Sequence, residues 1–230
     1  MKQNINAYNP VEFKKQFEST EIYRNVAKDF DNLWWDQKNK FFDSLTPRHA
    51  VSLQTRGFSM IPFYYLQRLL EKNPTSIYDL GCGANLFKKY IPNIIGVDKS
   101  VGADHESNHQ LCYPDIEDRV NPEYIKTHQN YFESVFSINA LHFRPLSELR
   151  LVYEEFISMV APGGRGFLSV NIQRMIESEK NLLPKDNNIN YDLYVRTQLA
   201  DLPCEYLIFD VNLSIMDEWL DGNIRLVFEK

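Results

Sequence analysis

Ile77-Tyr78-Asp79-Leu80-Gly81-Cys82-Gly83-Ala84-Asn85 is a short apolar run that enters a glycine turn and then leads toward a helix. Read as a strand, it ends where glycines let the backbone approach a ligand with no β-carbon in the way, and Asn85 is a residue type that tolerates left-handed geometry. A second apolar run, Ile94-Ile95-Gly96-Val97-Asp98, ends in an acid about 15 residues after Gly83. A carboxylate at the tip of a neighbouring strand is suited to accept two hydrogen bonds from vicinal ribose hydroxyls, which links the two runs into a nucleoside site. A dinucleotide fingerprint would need glycine or alanine where Leu86 stands, and no G-x-x-x-x-G-K-[ST] phosphate loop is present.

Outward from this pair the pattern is strand alternating with helix. Ser76 to Leu80 and Ile94 to Asp98 are followed by a third strand at Gln110 to Tyr113, a fourth at Ser134 to Ala140 and a fifth at Gly166 to Asn171. A helix over Ser147 to Val160 turns Leu149, Val152, Phe156 and Val160 to one side. Such alternation builds a parallel sheet with helices on both faces and a binding crevice at the carboxyl ends of the strands. Tyr206 to Leu213 and Ile224 to Phe228 are two more strand candidates, joined by a segment containing Asp221-Gly222 that is too short for a crossover helix. They are expected to pair antiparallel.

Two further segments complete the pattern. Met159-Val160-Ala161-Pro162-Gly163-Gly164-Arg165-Gly166-Phe167-Leu168-Ser169 is a helix end, a Pro-Gly-Gly turn and a strand start. Glu133-Ser134-Val135-Phe136-Ser137-Ile138-Asn139-Ala140-Leu141-His142 is the fourth strand and its exit. In this order and spacing the segments resemble the class I S-adenosylmethionine-dependent methyltransferases: the glycine-rich motif, the ribose-binding acid, a D-x-V-x-S-x-x-A-L-H segment with Glu133 for Asp, and the L-K-P-G-G-type turn. The resemblance covers about residues 75 to 230. It implies a Rossmann-like, doubly wound, mostly parallel seven-stranded sheet with an antiparallel C-terminal hairpin. Residues 1 to 74 would be a helical cap on the same domain.

Position by position, the resemblance implies that Asp79, Gly81 and Gly83 surround the methionyl part of S-adenosylmethionine, with Cys82 and Ser137 also in the cofactor set. Asp98 would hold the ribose, Lys99 would lie beside the adenine, and Asp115 with Ile116 would contact the adenine amino group. The family's third glycine is Asn85 here, and Lys99 is charged where an apolar residue is common. His142, at the exit of strand four, is the catalytic candidate; it either orients a substrate or takes a proton, or it is a hydrogen-bonded structural histidine. Methyl transfer from a sulfonium needs no dedicated nucleophile, since alignment alone can be worth roughly 7 to 11 kcal/mol of barrier.

Other chemistry-bearing residues read more plainly. His105, His109 and Cys112 match no familiar zinc spacing and read as a solvated loop, so no metal is expected. Pro203-Cys204 lies far beyond strand four, where the nucleophile of cytosine C5 methyltransferases would belong, and strand four lacks the [DNS]-P-P-[YF] tetrapeptide. The cap candidate carries amphipathic helices from Val11 to about Phe42 and from Pro62 to Lys72, with the pairs Trp34-Trp35 and Phe41-Phe42 and the triplet Phe63-Tyr64-Tyr65. These aromatics either pack or stack on a substrate. Arg56, beside Gly57, either reaches the methionyl carboxylate when the cap closes or sits in a surface salt bridge.

Composition bounds the function. Of the 230 residues, 43% are hydrophobic and 24% charged, close to the globular average. The 3 cysteines show no C-x-x-C spacing, so reduced thiols are expected. No apolar run approaches the roughly 20 residues that cross a bilayer, and no secretory signal is read at the start, so a cytoplasmic protein without membrane partners is expected. The net charge of −6 argues against nucleic acid as main partner. Residues 1–74, however, hold 11 Lys and Arg against 8 Asp and Glu. The expected activity is therefore methyl transfer to a small molecule. The alternatives are an RNA or protein methyltransferase docking through the basic cap, and a non-catalytic S-adenosylmethionine-binding partner subunit.

Overall fold

A computed structural model describes residues 15, 18–25, 61–82, 85–98, 107–109, 122–141, 144–172, 175, 190–216 and 219–230. The chain divides into two compact units, one of Met1–Tyr8 with Leu69–Lys230, the other of Asn9–Arg68. In the second unit residues 21–25 are helical. Thr20 caps them: its Oγ1 accepts from the Tyr23 amide at 3.2 Å and its carbonyl from the Arg24 amide at 3.3 Å. Helix α1, Ile61–Leu70, buries Phe63, Tyr65, Leu66 and Leu69. It stops as expected before Asn73-Pro74, with Asn73 in the left-handed region (φ 48) and its amide bonded to the Leu70 carbonyl at 2.9 Å. Trp34-Trp35, Phe41-Phe42 and most of the expected cap lie outside the described residues.

The larger unit is an α/β sheet, parallel except at its C-terminal side. Its strands are β1 (Ile77–Leu80), β2 (Ile94–Val97), β3 (Ser107–His109), β4 (Phe132–Ile138), β5 (Val160–Asn171), β6 (Glu205–Met216) and β7 (Trp219–Glu229). They form a 7-stranded sheet in the order β3-β2-β1-β4-β5-β7-β6. The first five run parallel, while β7 is antiparallel to both β5 and β6. The described helices of this unit are α2 (Pro122–Thr127), α3 (Leu149–Met159) and α4 (Tyr191–Gln198).

Period decides the core. In α3 the residues Leu149, Val152, Tyr153, Phe156 and Ile157 fall on one face and join a buried cluster with Leu80, Val97, Val135, Leu168, Leu226 and Phe228 of the sheet. Phe156 meets Phe228 edge-on at 6.0 Å. On the other face of the sheet Gly96, Asp79, Phe136, Phe167 and Val227 lie side by side across five strands. Phe87, from a 3-10 turn at Leu86–Lys89, stands edge-on to Phe136 at 5.8 Å.

The described third strand is Ser107–His109; Gln110 to Tyr113, expected as that strand, lie outside the described residues. Three details depart from the sequence reading. The helix expected after the glycine turn is that single 3-10 turn, because β2 begins only nine residues after Asn85 and Pro92 ends any continuation. The Pro-Gly-Gly turn lies within β5: residues 161–164 bulge out between the pairs Phe132↔Val160 and Ser134↔Arg165, with Gly163 at φ 76. Asp221-Gly222 is strand, not connection; Met216 pairs with Trp219, so only residues 217–218 join β6 to β7.

Candidate functional site

The carboxyl ends of β1, β2 and β4 meet at the glycine turn, and the backbone does most of the joining. Gly81 takes φ 81, which turns the peptide that follows it back toward β2. The Gly81 amide and the next one, of Cys82, both donate to the Val97 carbonyl, at 2.7 and 3.2 Å. Val97 immediately precedes Asp98, so the turn is tied to the residue before the acid. Asn85 is left-handed (φ 50, ψ 42) as its type allows, and its amide returns to the Cys82 carbonyl at 2.9 Å. From the other side the Ser137 hydroxyl, fully buried on β4, donates to the Leu80 carbonyl at 2.7 Å.

Both acids are buried, Asp79 at 3% and Asp98 at 6% relative exposure. Asp79 stands in register with Gly96 on one side and Phe136 on the other. Carboxylates so placed at strand ends can accept hydrogen bonds from hydroxyl or ammonium donors. The structure thus brings together Asp79, Gly81, Cys82, Asp98 and Ser137 of the predicted set. Arg56, Gly83, Lys99, Asp115, Ile116 and His142 lie outside the described residues, and His105 and Cys112 do as well.

Three residues that sequence reading passed over hold the exit of β4 or the glycine turn itself. Asn139, the first residue after β4, is left-handed (φ 51), and its amide bonds the Ser169 carbonyl at 2.9 Å. Its type was the available signal, because Asn visits that region readily. Arg144 is buried beside Ile125, Leu141, Val152 and Phe156, and its guanidinium pairs with Glu148 at 2.6 Å and with Glu155. Arg144 and Glu148 are one helical turn apart in number, which is visible in sequence; the reach to Glu155 is not. Gly96 is the third. A β-carbon there would lie 2.6 Å from Asn85 Nδ2 and 2.7 Å from Cys82 Sγ, so the side chains of the turn occupy the space it leaves.

Cys204 fits its plain reading, since burial pushes its thiol up to about 12 and leaves it a poor nucleophile. Among the described residues no group of three or more His, Cys, Asp or Glu could hold a metal ion. Among them, too, no helix is long and apolar enough to cross a membrane.

No family model and no curated protein matches the chain. Among solved structures it is similar to an S-adenosylmethionine-dependent methyltransferase from Archaeoglobus fulgidus, at 12% identity and TM-score 0.48 over 80% of this chain and 100% of that one. The PH0226 protein from Pyrococcus horikoshii OT3 aligns at 15% identity and TM-score 0.47, over 84% and 98%. The N-methyltransferase NodS from Bradyrhizobium japonicum WM9 aligns at 13% and 0.43, over 73% and 94%.

Proposed function

We propose that this chain is an S-adenosylmethionine-dependent methyltransferase whose acceptor is a small molecule. The observation that carries the reading is the pair of hydrogen bonds that the Gly81 and Cys82 amides donate to the Val97 carbonyl, which sets the glycine turn beside Asp98 while Asp79 lies buried on the adjoining strand. A cofactor with a ribose diol, an ammonium group and a sulfonium suits two carboxylates around a bare turn, whereas a pyrophosphate would meet negative charge. In this reading Asp98 accepts from the ribose hydroxyls, and Asp79, Gly81, Cys82 and Gly83 surround the methionyl part. Lys99, Asp115 and Ile116 line the adenine, and His142 orients the acceptor or takes its proton. The cofactor would supply an electrophilic methyl group. The chain's share is alignment and exclusion of water.

Calorimetric titration with S-adenosylmethionine and S-adenosylhomocysteine tests the reading, and a folded protein that binds neither overturns it. Binding without methyl transfer to small-molecule, RNA or protein acceptors would favour the partner-subunit alternative. Transfer to RNA or protein alone would favour docking through the basic residues 1–74.

A further inference from the structure

β2 contains a glycine where a strand gains nothing from one. Glycine in a strand interior weakens it and marks a place where other atoms must come close. At Gly96 those atoms are Asn85 Nδ2, Cys82 Sγ and Asn85 Cγ, within 2.6 to 2.8 Å of where a β-carbon would sit. Both residues belong to the turn after β1, on either side of Gly83-Ala84, and both are buried, Cys82 at 8% and Asn85 at 4%. Gly96 is also the lateral neighbour of Asp79 in the β1–β2 register. We propose that Gly96 is a positioning residue for the cofactor site: its bare Cα is the seat into which Cys82 and Asn85 fold. Their side chains thus turn toward the sheet, and the backbone of the turn is held at the height set by the Val97 carbonyl.

This rests on the reading of the site given above. A methyl group at residue 96 must displace two buried side chains at once. Cys82 has a single side-chain torsion with which to yield, and Asn85 already holds a left-handed backbone that few residue types adopt. The turn therefore lifts from β2, although β2 itself keeps its pairing with β1. Gly96 touches no ligand in this account; it acts through the turn.

Calorimetry with S-adenosylhomocysteine as probe reads the effect. Gly96→Ala is expected to weaken binding by about tenfold to hundredfold, the range for an overpacked site. In a Cys82→Ala/Asn85→Gly background, where the seat is vacated, the same substitution is expected to change affinity by no more than about twofold. Equal losses in the two backgrounds, or no loss in the first, overturn the proposal. Should Gly96→Ala fail to fold, recovery of folding in the relieved background supports the seat, and continued failure overturns it. A wild-type protein that does not bind the probe removes the functional reading alone. The seat is then read in the ligand-free chain by iodoacetamide modification of Cys82, followed by peptide mass spectrometry. Gly96→Ala is expected to speed that reaction at least about tenfold at unchanged cooperative unfolding, because a thiol with no seat is exposed. Unchanged modification overturns it.

Discussion

The Ser137 hydroxyl donates to the Leu80 carbonyl at 2.7 Å, both groups buried, so β4 holds the last residue of β1 as the chain enters the glycine turn. Ser137 is in the implied cofactor set, but its proton is committed to the frame. Ser137→Ala would leave a buried carbonyl without that partner, a cost of about 1 to 3 kcal/mol. Chemical denaturation is expected to show a lower midpoint at unchanged slope. A midpoint equal to wild type would mean that the carbonyl finds another donor.

Asp98 carries the nucleoside half of the site. If it accepts the ribose hydroxyls, Asp98→Ala weakens S-adenosylhomocysteine binding by roughly 1.5 to 3 kcal/mol, the range for hydrogen bonds to a charged group. Calorimetry on the folded variant decides it, and unchanged affinity removes the assignment.

How much of this could be read from residues alone follows from the range of each interaction. The glycine turn, the acid after β2 and the left-handed Asn85 were legible because they depend on residue type at a local position. The α3 face was legible because Leu149, Val152 and Phe156 repeat at helical spacing. What was not legible depends on register or on distance along the chain. The hairpin register Met216↔Trp219 puts Asp221-Gly222 inside β7 although that dipeptide is a strong turn signal. Helix α4 was missed because its one fully buried residue, Val195, gives no repeat to detect. The seat at Gly96 joins residues 11 and 14 positions apart in the chain, and no periodic pattern announces it.

Arg144 anchors the exit of β4 to α3 through Glu148 and Glu155. Its side chain is 5% exposed, while the two glutamates are 40% and 30% exposed, so solvent absorbs part of the loss when the pair is broken. Arg144→Ala is expected to cost about 2 to 3 kcal/mol, below the full value of a buried pair, from lost packing and unpaired carboxylates. Arg144→Met, which refills the apolar space beside Ile125 and Phe156, is expected to cost less. Thermal unfolding of the two variants gives the order, and the reverse order would show that the charge pair matters more than the volume.

Cys204 offers a negative test. With its thiol raised to about 12 by burial, it is expected to resist iodoacetamide at pH 8 in the native protein and to react on unfolding in denaturant. Rapid native modification would show that the segment after Pro203 opens.

Acid stability turns on Glu229. Its carboxyl is held below the ordinary glutamate value of 4.5, first by the hydrogen bond from Lys72 at 2.7 Å, against partial burial, and then by Arg165 at 3.0 Å. Arg165 is itself shared with Glu71 at 2.9 Å, so the cluster alternates in sign from the end of α1 to β7. A carboxyl that is more acidic folded than unfolded stabilises the protein when ionised. The contribution is fully present above the ordinary value of 4.5 and fades as pH falls through the lower folded value. Glu229→Gln is therefore expected to lower the melting temperature near pH 7, with the gap to wild type closing as the pH drops below 4.5. High salt should narrow the same gap at neutral pH, because Lys72 is 40% exposed and its pairing is screened. A gap that stays constant across the acid range would mean that Glu229 contributes through its packing and not through its charge.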